Sequence, residues 1–126
     1  MSNSVTSPIS GRLYQTGSRL GGTDVFSLYE CAFQPDNSGK PNRCCIFKIA
    51  KTPEQNGVLD REAFLLKRMA EQAQQTEEAF IEAHPGTTDR MNYQFMFPRL
   101  VETFVLSEQQ NRRVLILDFS LIITRR

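Results

Sequence analysis

Tryptophan is absent from this chain of 126 residues, histidine occurs once and cysteine three times. A structural zinc site takes four Cys or His ligands, commonly with a short Cys-x-x-Cys spacing, and neither the number nor the spacing is met here. Three cysteines cannot all pair within one chain, and the adjacent Cys44 and Cys45 point to opposite faces if they lie on a strand. They read as reduced thiols, with Cys45 or Cys44 filling core volume. An excess of one charge is also lacking, with 15 Lys and Arg against 14 Asp and Glu. Without a net field to recruit polyanions, neither nucleic acid nor a membrane surface is an expected partner. No apolar run approaches the roughly 18 residues that mark a membrane-spanning helix. The Ser/Thr-rich start has neither the basic nor the apolar region of a signal peptide, so a cytoplasmic location is expected.

What is present is a series of short periodic segments, enough for one domain with one core. Residues 1–10, rich in Ser, Thr and Pro, are expected to form a flexible arm. Strands are expected over 12–18 and 25–33, with Gly21 and Gly22 at the turn between them. In the second of these Phe26, Leu28 and Glu30 alternate with Ser27, Tyr29 and Cys31. Residues 34–43 hold Pro35, Asp36, Asn37, Gly39 and Pro41, a hairpin-loop composition. A third strand follows over 44–50, then Pro53 and Gly57 lead into an amphipathic helix over 58–73. Its expected buried face is Leu59, Ala63, Leu66, Ala70 and Ala73. Residues 72–93 are polar and read as a helix extension with a surface loop, any helix stopping near His84 before Pro85 and Gly86; His84 itself reads as an exposed bystander. Strands are expected again over 100–106 and 113–119, and the unbroken Val114-Leu115-Ile116-Leu117 run marks the last of them as central.

Lys48 stands in the middle of the apolar third strand, and Glu62 lies one turn into the helix. An ammonium group in such a strand is costly unless it meets an anion, and a helix packed on the strand can supply the carboxylate. The pair can serve as architecture alone, because a buried ion pair is by itself weak evidence of function.

Three strands, a helix and two further strands, with Lys48 and Glu62 so placed, resemble the amino-terminal lobe of the protein-kinase-like fold over residues 11–120. More narrowly, Gly21-Gly22-Thr23-Asp24-Val25-Phe26-Ser27-Leu28-Tyr29 and Phe97-Pro98-Arg99-Leu100-Val101-Glu102-Thr103-Phe104 resemble bacterial kinase-like proteins, some of them linked to J-domain chaperones. The resemblance implies an α+β fold with a five-stranded, mostly antiparallel sheet and one principal helix, followed by a tail over 121–126. It implies that Lys48 and Glu62 hold the phosphates of ATP. By the same resemblance Leu117 is the gatekeeper, and Asp118 and Phe119 begin the hinge that meets adenine through its backbone. Gly21 and Gly22 belong either to a phosphate loop or to a plain hairpin turn.

The departures from that family are specific. Gly21 and Gly22 are adjacent, and the third glycine of G-x-G-x-x-G is missing. Ile46 replaces the small alanine that contacts the base. No H-R-D-x-x-x-x-N loop and no D-F-G motif occur, so the groups that take the hydroxyl proton and hold magnesium are lacking. The expectation is a kinase-like lobe, either a fragment or a degenerate pseudokinase piece, with no catalytic residues, no metal site, no phosphotransfer of its own and at most weak binding of ATP. The alternative is a non-catalytic interaction module on the same scaffold. Either way, a surface near Phe26, Leu117, Phe119, Leu121, Ile122 and Ile123 is expected to need cover, from a second copy of the chain or from a protein partner.

Overall fold

The computed structural model describes residues 3–34, 43–86 and 98–118. Within them lie strands β1 (Asn3–Thr6), β2 (Leu13–Gly22), β3 (Phe26–Phe33) and β4 (Arg43–Ala50), helix α1 (Asn56–Ala83), and strands β5 (Arg99–Leu106) and β6 (Arg112–Asp118). The strands form one sheet of order β1-β2-β3-β4-β6-β5, antiparallel at every step. The fold is therefore α+β with a single α-helix among the described residues. Its sheet has six strands where five were expected, because Asn3–Thr6 pairs with residues 13–16 instead of forming part of a loose arm.

Period-2 alternation builds the interior. Cys45, Phe47 and Ile49 of β4 join Cys31 and Phe33 of β3, Tyr14 of β2, Phe104 and Leu106 of β5, and Val114 and Ile116 of β6 in one buried cluster. The intervening residues of β4 and β6 face the other way, where Ala50, Leu115 and Leu117 pack with Leu59, Ala63 and Leu66 of α1. Strand β6 is thus buried on both faces, which is why its sequence is continuously apolar.

Bulges curl this sheet. Strand β2 slips register twice against β3, between Thr16 and Arg19 and between Arg19 and Gly21, and β5 slips once against β6, between Leu100 and Glu102. Each extra residue bends its strand and increases the local twist. The two ends of the sheet are drawn together by this curl. Glu102 of β5 accepts hydrogen bonds from Ser7 Oγ (2.7 Å), Ser10 Oγ (2.9 Å) and the Tyr14 hydroxyl, all on or beside β2. Burial, and next the hydrogen bond to Glu102, push the Tyr14 phenol above its ordinary value near 10.

Helix α1 runs for 28 residues, through the amphipathic 58–73 segment and the polar extension after it, and stops at His84. Leu59, Ala63, Leu66 and Ala73 are buried as expected, whereas Ala70 is exposed. From residue 74 onward no side chain of the helix is buried. His84 ends the helix: its amide donates to Phe80 O (3.0 Å), and its ring lies 4.4 Å from that of Phe80. His84 is exposed, as expected, and its backbone amide caps the helix. At the other end Asn56 ties α1 to the sheet, since its Oδ1 accepts from the Arg113 amide (2.7 Å) and its Nδ2 donates to Asn111 O (2.7 Å). Arg113 Nε also lies 2.6 Å from Asp60 Oδ1, a charge contact without hydrogen-bond alignment. No helix of the described residues is long and apolar enough to cross a membrane.

Candidate functional site: the Lys48–Glu62 pair

Strand β4 carries Ile46 and Lys48 on the face that α1 covers, opposite to Cys45 and Phe47. Its neighbour β3 sets Leu28 directly beside Lys48 and Phe26 beside Ala50. The docking of Leu59, Ala63 and Leu66 fixes the rotation of α1, and Glu62 follows on the flank turned toward β4. Lys48 Nζ donates to Glu62 Oε1 at 2.7 Å, with 12% of the lysine side chain and 30% of the glutamate side chain exposed. The approach expected from the sequence is met. A second contact was not foreseen: the ammonium lies 3.9 Å from the centroid of the Phe26 ring, a cation–π geometry. The charge of Lys48 is therefore met by a carboxylate and by an aromatic face.

The register places Gly21 opposite Leu28, and Leu28 opposite Lys48, so Gly21 is two strand spacings, about 10 Å, from the lysine. Both glycines lie within β2, and the turn falls on Thr23, Asp24 and Val25. Two of its amides are engaged inside the hairpin: Thr23 N donates to Phe26 O (2.8 Å) and Val25 N to Thr23 Oγ1 (3.0 Å). A phosphate cradle needs such amides free and pointing outward. Here they close a turn. A Cβ on Gly22 would stand 2.5 Å from Phe26 O, whereas one on Gly21 would meet nothing within 4 Å. Gly22→Ala is expected to cost about 1–3 kcal/mol in urea unfolding, and Gly21→Ala to lie within about 0.5 kcal/mol of the unmodified chain. Equal costs at the two positions would contradict this reading of the turn.

The remaining expected residues are less well gathered. Leu117 pairs in register with Ile46 and is 3% exposed in the cluster beneath α1, so it does not belong to an uncovered surface. Asp118, one residue further along β6, is also 3% exposed and forms an ion pair with Arg43. It is a buried strand-end carboxylate, not a surface-turn residue. Phe119, together with Leu121, Ile122 and Ile123, lies outside the described residues. Ile46 borders a shallow groove of about 550 Å³ that it shares with Leu20, Glu30 and Ala32. Lys48, Glu62, Leu117 and Asp118 do not line that groove.

The three cysteines are free thiols, with Cys31 and Cys45 buried and Cys44 exposed. Cys31 and Cys45 are register partners, and the hydrogen bond between them, followed by burial, pushes the Cys45 thiol well up. That favours the neutral, unreactive form. No group of three or more His, Cys, Asp or Glu side chains suited to a metal ion occurs among the described residues.

Two arrangements escaped the sequence reading. The Phe26 contact was within reach, because Phe26 alternates with Ser27 just as Lys48 alternates with Phe47, and both stripes face the helix once β3 and β4 pair. Glu102 gave a fainter signal, a lone carboxylate two residues before Phe104 and four before Leu106 on what becomes the interior face. Comparison with protein-family models, with curated proteins and with solved structures finds no match to this chain.

Proposed function

We propose that the chain is a kinase-like small lobe without phosphotransfer activity, in which the Lys48–Glu62 pair ties the helix to the sheet and gives at most weak binding to ATP. The observation that carries this reading is the 2.7 Å contact between a lysine of a central strand and a glutamate of the one helix packed on it. The order of the elements from β2 to β6 supports it as well. Against a working nucleotide site stand the engaged amides of Thr23 and Val25 and the aromatic ring of Phe26 over the ammonium. A phosphate group would have to displace that ring.

Titration calorimetry with magnesium ATP tests the reading. The unmodified chain is expected to bind with Kd in the millimolar range or to give no heat, and Lys48→Met is expected to remove whatever heat there is. The same substitution is expected to cost about 1–2 kcal/mol of stability, less than the loss of a fully buried partner, because the partly exposed Glu62 regains water. Micromolar binding that survives Lys48→Met would refute the role given to the lysine.

A second reading, an interaction module that pairs with another copy of itself, is favoured by one feature of α1. Val58, Leu65 and Met69 are exposed on one stripe beside Glu62, with Phe64 close by. A formal net charge of +1 presents little repulsion between two copies. Sedimentation at micromolar concentration is expected to show a dimer that Leu65→Lys converts to monomer. A monomer for the unmodified chain would remove this reading.

A further inference from the structure

We propose that the interior of the curled sheet holds a binding site for a small organic anion, a carboxylate borne on a single polar ring. The site is on the opposite face of the sheet from Lys48 and does not depend on the kinase-like reading. There a cavity of about 590 Å³ is bordered by β1 through β5 and by the turn before β6. Pockets that hold small ligands span roughly 300–1,000 Å³ and are commonly found in the mouths of curled or closed sheets.

Three features define what fits. Tyr29, Phe47, Ile49 and Leu106 border the cavity, and Tyr29, edge to face with Phe47 at 6.4 Å between ring centroids, is the one of them that is not buried, so its ring is the apolar surface a ligand ring would meet. Ser27 borders the cavity and is only 8% exposed, yet its hydroxyl has no hydrogen-bond partner among the described residues. A hydroxyl on the cavity wall with no protein partner is left to donate to, or accept from, a group in the cavity. Arg112 stands at the rim, held by neutral oxygens: Nε donates to Gln109 O (3.0 Å), Nη2 to Gln109 Oε1 (2.5 Å), and Nη1 makes long contacts to Ala50 O and Lys51 O (both 3.4 Å). No carboxylate of the described residues pairs with it. A guanidinium positioned this way, with its charge unmatched, selects an anionic head group. The Ser27 hydroxyl, two residues from Tyr29 on the same face of β3, selects a polar substituent on the ring.

The experiment is a titration of the full chain with 4-hydroxybenzoate and with its neutral counterpart 4-hydroxybenzamide, followed by calorimetry and by amide chemical shifts. The carboxylate is expected to bind with Kd below about 1 mM and to shift the amides of Ser27, Tyr29 and Ile49, the benzamide binding at least about tenfold more weakly. Arg112→Gln is expected to abolish the discrimination between the two. Because Arg112 also braces the turn before β6, Ser27→Val is the companion variant, a small buried change expected to weaken the carboxylate about fivefold or more with the fold intact. Absence of binding at about 10 mM, equal affinity for the two probes, shifts confined to the Lys48 face, or unchanged affinity in Ser27→Val would each overturn the proposal.

Discussion

Leu59→Ala is expected to remove about 2–5 kcal/mol of stability, a large share of the roughly 5–15 kcal/mol typical of a single domain. Leu59 is fully buried between α1 and the central strands, and the cavity left by its truncation would lie under the helix that presents Glu62. The loss should therefore reach the candidate site. Amide exchange is expected to accelerate through the first turns of α1 before the sheet opens, and the Lys48–Glu62 contact to weaken with it. Phe64→Ala, five residues on but 59% exposed, is expected to stay within about 0.5 kcal/mol. A Leu59→Ala cost below about 1 kcal/mol in urea unfolding would mean that this face does not dock as described.

The second large effect is expected at Glu102. Glu102→Ala leaves the hydroxyls of Ser7 and Tyr14, which are 1% and 0% exposed, without their acceptor. At about 1–3 kcal/mol for each buried donor left unmatched, partly relieved by local relaxation, the loss should be about 2–4 kcal/mol. Glu102→Gln retains an acceptor oxygen and is expected to lose about half as much. Exchange of the β1 amides should quicken in the alanine variant, since the 7–14 segment that continues β1 into β2 is what Glu102 holds. Unchanged β1 exchange would contradict the closure described here.

The same cluster sets an alkaline limit. The Tyr14 phenol titrates higher in the folded chain than in the unfolded one, so its contribution to stability is complete below pH about 10 and is lost as the pH rises past that value toward the folded-state pKa. Tyr14 is expected to resist ionisation in ultraviolet titration until the chain unfolds. In Glu102→Gln that tyrosine should titrate earlier.

How much of this was legible can be argued residue by residue. Alternation in 25–33 and 44–50 and the unbroken 114–117 run located β3, β4 and β6, because burial of one or both sheet faces writes itself directly into the pattern. The 3.6-residue spacing of Leu59, Ala63 and Leu66 located the docked face of α1, and with it the meeting of Lys48 and Glu62. Strand β1 was not legible: Asn3-Ser4-Val5-Thr6 has one large apolar side chain, and a short edge strand is held mainly by backbone pairing that any sequence can supply. The helix beyond residue 73 was legible only as a polar extension without a buried face, for a related reason. Its side chains are not buried, so Gln and Glu residues continue the helix by propensity and local contacts such as Gln74 Nε2 to Glu78 Oε1 at 3.1 Å. Bulges have the least signature of all, and the one near Val101 decides that Glu102 joins Phe104 on the interior face while Leu100 packs against the helix cluster.

The proposed function gives Lys48 the position of a nucleotide-binding lysine whose charge Glu62 and Phe26 already meet. Magnesium ATP titrated calorimetrically into Phe26→Ala, with the fold checked by circular dichroism, tests it most directly. Removal of the ring should bring the affinity up by about tenfold over the unmodified chain, about 1.4 kcal/mol, and Lys48→Met in the same background should abolish the gain. No gain in Phe26→Ala, or a gain that persists without Lys48, would contradict the account.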